Sequence, residues 1–366
     1  MNKQNRIHDR SVIHKIIIAG FMIMGTTACA SPAKNIELPT PVHIIQAYTP
    51  TITLTPAPTI TTTPTIMPTP TVNPLITLTP TPDPFQELYL DSLMNRSYGG
   101  GVLQNEGALN GADGFSRKLF KYRSEGLDLY GFMNIPEGDG PFPVIFLLHG
   151  HVDPAEYNTL DYSVRYADAL VKNGYITIHP NLRGYAPSQN GENTLGIGDT
   201  IDLLNLIALV RQQSGSAGLL EKADKNRIGI WGHSMGGGIV LRALIIDQGI
   251  DAGLLYASIH SNEEFNLSHF EKDGRGNEKV IAPASALACM SPSNFLDEIN
   301  APISIHHGGQ DEVVPNQWSR DLCDKLHEKG KMVACKEYPD QPDTFKNSGD
   351  IEFMDEMVAF FDKFVK

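Results

Sequence analysis

The segment Arg227-Ile-Gly-Ile-Trp-Gly-His-Ser-Met-Gly-Gly-Gly carries a short apolar stretch into G-H-S-M-G and then into an apolar helical stretch. A bare G-x-S-x-G arises easily by chance, but a strand before it and a helix after it are what a nucleophile elbow requires. Gly232 and Gly236 let strand and helix crowd around a strained turn that lifts the Ser234 hydroxyl clear of the sheet. The new helix aims its first N–H groups and its positive dipole end at the same spot, where charge develops when a hydroxyl attacks a carbonyl. The competing reading is a glycine-rich turn without chemistry.

Two further segments suit the same reaction. The apolar run Val144-Ile-Phe-Leu-Leu ends in His149-Gly150-His151, and the glycine lets the chain bend so that a backbone N–H faces the nucleophile. Acyl transfer needs two such donors. The N–H of Met235 and that of His151 are the expected oxyanion hole, each worth about 3 kcal/mol in a dry site. A rival reading takes His149, His151 and Asp153 as zinc ligands, although Pro154 stands where such motifs usually add another histidine. The third segment, Ile303-Ser-Ile-His-His-Gly-Gly-Gln-Asp311, delivers a carboxylate just after a strand, which makes Asp311 the orienting acid. The chemistry calls for no cofactor and no metal.

These residues need a frame. Short apolar runs at Val144 to Leu148, Tyr175 to Ile178, Arg227 to Trp231, Gly253 to Ser258, Ile303 to His306 and Met332 to Tyr338 read as buried strands. Helical stretches such as Thr200 to Gln212, Gly237 to Asp247 and Trp318 to Lys329 alternate with them. Strand then helix, repeated, predicts an α/β domain with a mostly parallel sheet covered on both faces. Ser116 to Arg123 and Leu127 to Ile135, flanking Ser124-Glu125-Gly126, predict an antiparallel hairpin before it. Ile197 to Arg211, with Asp199 and Asp202 near its start, reads as a capped amphipathic helix.

Upstream, the composition changes. The first 28 residues carry Lys3, Arg6, Arg10 and Lys15 against Asp9, so the formal −13 of the chain becomes −16 without them. An acidic mature protein argues against nucleic acid or an anionic membrane surface as partner. The apolar run from Ile16 to Ala30 falls short of the ~20 residues needed to span a bilayer and reads as a signal peptide over 1–28. Thr26-Thr27-Ala28-Cys29 resembles the lipobox of bacterial lipoproteins, with Thr26 where leucine is usual. Lipidation of Cys29, and so a tether to the outer side of a cell membrane, is expected, with plain secretion the alternative. Residues 29–84 hold this cysteine and a Thr/Pro-rich spacer in which proline prevents a helix, and 85–366 is the folded domain. Cys323 and Cys335, twelve residues apart, are an oxidisable pair in an exported protein or else buried thiols.

The motifs SEGLDLYGFMNIPEG, FPVIFLLHG, NGYITIHPNLRGYAPS, IGIWGHSMGGG, HHGGQDEVVP and EYPDQPDTF, in that order, resemble the α/β-hydrolase superfamily, in its prolyl-oligopeptidase (serine peptidase) and dienelactone-hydrolase-like branch. The resemblance runs from about residue 115 to the C-terminus. It implies an eight-stranded sheet, a serine nucleophile after strand five, an acid after strand seven and a histidine after strand eight. Ser234 and Asp311 fill the first two roles. At the third the sequence departs: where relatives place the histidine, about four residues past Pro339, it has Asp343. In that place Asp343 is expected to face Asp311, the two carboxylates titrating as a coupled pair with one value raised. His233, His149 and His307 belong to turns and read as structural, and His260 is the alternative base. Asn181 stands where relatives often have aspartate, and Arg183 reads as a structural anchor. The function implied is an exported serine hydrolase acting on a small ester or peptide; the alternative is a pseudohydrolase that keeps the pocket for binding.

Overall fold

The computed structural model describes residues 82–366 apart from 112 and 271–279. The signal peptide, Cys29 and the spacer as far as Thr81 lie outside the described residues. Among the described residues nine strands, β1 (Gln104–Leu109), β2 (Phe115–Ser124), β3 (Leu127–Pro136), β4 (Phe142–Leu148), β5 (Ile176–Pro180), β6 (Ala223–His233), β7 (Ala252–Tyr256), β8 (Ile303–Gly308) and β9 (Val333–Tyr338), form one sheet. Its order is β1-β2-β3-β5-β4-β6-β7-β8-β9. From β5 to β9 every pairing is parallel, while β1, β2 and β3 join antiparallel.

Eight of these strands are the ones predicted, and β1 is the ninth. It was hidden because QNEGAL is exposed almost throughout and lies at the sheet edge, so it has no apolar alternation to betray it. The helices are α1 (Leu90–Met94), α2 (Val164–Lys172), α3 (Ile197–Gln213), α4 (Met235–Ile246), α5 (Glu263–Phe270), α6 (Ala284–Met290), α7 (Asn316–Glu328) and α8 (Asn347–Phe364). None of them is long and apolar enough to cross a membrane.

The pleat divides the core in two. On β4, Val144, Phe146 and Leu148 point to a layer filled by α1, α3, α4, α6 and α7, whereas Ile145 and Leu147 point to one filled by α2 and α8. Phe85 and Leu88 pack on the first layer. One expectation fails here: α3 is not amphipathic. It is buried on nearly every side from Ile197 to Val210, Asp199 and Asp202 included. Arg183 explains the two buried acids, since its Nε and Nη2 donate to Asp202 at 2.8 and 2.7 Å while its backbone N–H donates to Asp199 at 3.2 Å. Arg183 is thus the anchor that was expected. A disulfide joins Cys323 of α7 to Cys335 of β9.

Candidate active site

Ser234 sits between β6 and α4 with φ 51° and ψ −115°, a left-handed backbone that a side chain adopts only under constraint. The constraint is visible. Ser234 N–H donates to the Tyr256 carbonyl at 2.9 Å, and the Ser234 carbonyl accepts from Gly237 at 2.9 Å and Ile259 at 3.2 Å. A Cβ on Gly232 would run into the Gly236 carbonyl, and one on Gly236 into the Leu148 carbonyl. The two glycines therefore permit the crowding anticipated from the motif.

The serine opens onto a cleft of about 710 Å³, whose walls include His151, Tyr162, Tyr185, His233, Met235 and Asp343. His151, Met235 and Asp343 thus share this cleft with the serine, whereas Asp311 is not among its walls. Around Gly150 the packing is tight: a Cβ there would stand 3.0 Å from Ser234 Cβ, 3.0 Å from the Tyr162 hydroxyl and 3.1 Å from His233 Nδ1.

Asp311 has a fully buried side chain. Its Oδ1 accepts from the backbone N–H groups of Val313 at 2.8 Å and Val314 at 2.9 Å, which fixes the turn after β8. Its Oδ2 lies 3.0 Å from His307 Nε2, but that ring N–H is aligned on the Val314 carbonyl. Oδ2 is left buried without an aligned donor among the described residues.

Asp343 is held by a turn stacked on the glycines after β8. A Cβ on Gly308 would strike the Gln341 carbonyl, Gln310 N–H donates to that carbonyl at 2.9 Å, and Phe345 N–H donates to the Tyr256 hydroxyl at 2.5 Å. The expected Asp311–Asp343 pair is not what results. His233 Nε2 stands 3.3 Å from both the backbone oxygen and Oδ1 of Asp343, with the N–H aligned on the backbone oxygen. Burial raises the Asp343 carboxyl, but the His233 contact, the Thr344 hydroxyl and the charge of His307 outweigh it and hold the group below its ordinary value. The expectation of a coupled, raised pair is corrected: each carboxylate has a histidine as neighbour, Asp311 with His307 and Asp343 with His233.

Two other candidate histidines, His260 and His149, are held away from the serine by their own partners. His260 Nδ1 accepts from the Asn262 N–H at 2.9 Å, and its ring stacks on Phe265 and meets the edge of Trp318. It does not line the cleft. His149 is enclosed by Tyr157, Tyr185 and His179, and burial pushes its imidazole down to about 4 despite the Gly150 carbonyl. Among the described residues no three His, Cys, Asp or Glu side chains converge as a metal would require, so the suggested His149, His151 and Asp153 set does not assemble.

Sequence reasoning missed Tyr162, which lies in a loop without any motif, and the buried pair Arg242–Glu263, which also lines the cleft. His233, read as a structural residue of the elbow, has its ring between the Tyr162 hydroxyl and Asp343 at the wall of the cleft.

Residues 161–366 match the Prolyl oligopeptidase family. A protein of Escherichia coli, the "Uncharacterized 31.7 kDa protein in traX-finO intergenic region", is 33% identical over 126 residues, 34% of this chain and 40% of that protein. The chain therefore matches well under half the length of that relative. Among solved structures, the acylaminoacyl peptidase of Pyrococcus horikoshii superposes with a TM-score of 0.57 at 22% identity, over 70% of this chain and 42% of that one. Acetyl xylan esterase 1 of Thermoanaerobacterium sp. superposes with a TM-score of 0.54 at 15% identity, over 76% of this chain and 94% of that one. At such identities the two superpositions speak to the fold.

Proposed function

The chain belongs to the prolyl oligopeptidase family, and we propose that it is an exported serine hydrolase in which Ser234 attacks the carbonyl of a small ester or peptide. The observation that carries this reading is the backbone of Ser234, held at φ 51° at the mouth of α4 and opening onto the cleft. A strained turn that costs of order 1–3 kcal/mol persists where the surrounding structure enforces it, and here it presents a hydroxyl to a cavity. Met235 N–H, at the first turn of α4, and His151 N–H, past the Gly150 bend, are the proposed oxyanion donors. Asp311 is the proposed acid. The likeness to a peptidase and an esterase leaves the scissile bond open between amide and ester.

Export rests on the basic-then-apolar leader, and the Cys323–Cys335 disulfide is what an oxidising compartment would supply. Cys29 is the proposed lipid attachment that would tether the domain through the Thr/Pro spacer.

A second reading, a pseudohydrolase that binds a ligand in the cleft, is favoured by one observation: Asp311 Oδ2 has no aligned donor, and the residue at the histidine position is a carboxylate. Turnover of a simple activated ester separates the two. Wild-type protein should hydrolyse it, and Ser234→Ala should abolish hydrolysis while the melting temperature stays within a few degrees. Equal turnover by the variant would assign the activity to another site.

A further inference from the structure

Resting on the reading of Ser234 as nucleophile, we propose that Tyr162, His233 and Asp343 form the proton path that serves it, in place of a histidine on Asp311. The Tyr162 hydroxyl lies 2.5 Å from His233 Nδ1. On the other side of the ring, Nε2 faces the Asp343 backbone oxygen and Oδ1, both at 3.3 Å. The backbone oxygen, which can only accept, places the imidazole proton at Nε2, so Nδ1 presents its lone pair and the tyrosine donates to it. Tyr162 then has an oxygen lone pair to spare. Gly150 shows where that oxygen is: one methyl group in place of its hydrogen would touch Tyr162 Oη, Ser234 Cβ and His233 Nδ1 together. All four side chains line the same cleft.

The step balances without any other reagent. As Ser234 Oγ bonds to the carbonyl carbon, its proton passes to Tyr162 Oη, and the proton of Tyr162 passes to His233 Nδ1. The carbonyl π pair becomes the oxyanion at the Met235 and His151 N–H groups. The imidazolium formed faces the negative charge of Asp343. When the intermediate collapses, the same path in reverse gives the proton to the leaving alcohol or amine. Burial, and secondarily the charge of Asp343, raise the Tyr162 hydroxyl above its ordinary range, so at rest it is a phenol that both donates and accepts. Asp343 on this view is the acid of a displaced array, in which His233 acts through Tyr162.

The test is a double-mutant cycle on the full chain, read as the rate at which a fluorophosphonate labels Ser234. Tyr162→Phe, which keeps the ring and removes the oxygen, should slow labelling at least ~10-fold, since positioned acid–base groups contribute about 10² to 10⁴. In an Asp343→His background, where an imidazole could receive the serine proton directly, the same change should cost less than ~3-fold. An equal loss in both backgrounds would make Tyr162 an oxyanion donor and overturn the relay. No loss in the wild-type background would also overturn it while leaving Ser234 as nucleophile, and absence of wild-type labelling would overturn both proposals. Should Asp343→His not fold, Asp343→Asn replaces it: the relay requires slower labelling from this variant, and an unchanged rate would exclude it.

Discussion

Asp343 and Asp311 show how one side chain redirects a site. Asp311 retains the turn that presents it, through the N–H groups of Val313 and Val314, yet its second oxygen is buried without an aligned donor. Leaving a buried acceptor unsatisfied costs about 1–3 kcal/mol. A histidine at 343 would put an imidazole on the wall of the cleft that Ser234 faces, so Asp343→His is predicted to raise the rate of fluorophosphonate labelling about 100-fold, the low end for general-base catalysis. A folded variant with an unchanged rate would show that the site lacks more than the imidazole. The sequence alone revealed the substitution, but not its consequence. His233 could not be recognised as the neighbour of Asp343, because its place before the serine says nothing about which way the ring turns. Tyr162 could not be found at all, since only the close approach at Gly150 brings its hydroxyl to the elbow.

At the scale of elements, the buried start of α3 holds the wall of the cleft. Arg183 clamps Asp202, and the segment it fixes carries Tyr185, whose hydroxyl lies 3.4 Å from His151 Nδ1. Asp199, beside that clamp, is fully buried. Burial pushes its carboxyl up to about 7, against the hydrogen bonds from Asn193 and the Arg183 N–H, and the charge of Asp202 adds to the rise. The folded protein therefore holds this proton between the ordinary 3.8 and about 7, where the unfolded chain has lost it. Stability from this group is present below that window and is lost as pH rises through it. Asp199→Asn is predicted to flatten that slope between pH 4 and pH 8 while costing one hydrogen bond at every pH, because its amide nitrogen would face either the Arg183 N–H or the Asn193 amide, both of which donate to Asp199. Parallel melting curves of the two proteins from pH 4 to pH 8 would contradict the assignment. The inner strands were legible because their burial is one-sided or complete, whereas α2 and α8 were not read although each buries one face. The two misreadings have physical causes: β1 is polar because it is an edge, and α3 was given an exposed face because two acids near a helix start usually form a cap.

For the molecule as a whole, the folded body and the upstream spacer make opposite demands on sequence. From β2 onward the apolar runs alternate with helices and fill two layers, while the Thr/Pro stretch has no period with which to complete a core. A fragment beginning at Phe85 is predicted to fold and to melt within a few degrees of the chain lacking only residues 1–28. An insoluble fragment, or one that melts far lower, would make the spacer part of the domain. The order of motifs along the chain made the family legible, whereas the proton path was not, because it is assembled from a loop, an elbow and a turn more than 180 residues apart in sequence at their extremes. The proposed hydrolase stands on Ser234 as its nucleophile. The most direct measurement of that role is the intact mass of the protein after incubation with a fluorophosphonate, followed by peptide mapping. One adduct per chain is expected, on Ser234 and absent from Ser234→Ala; a wild-type chain of unchanged mass, or an adduct mapped to any other residue, would contradict a nucleophilic Ser234.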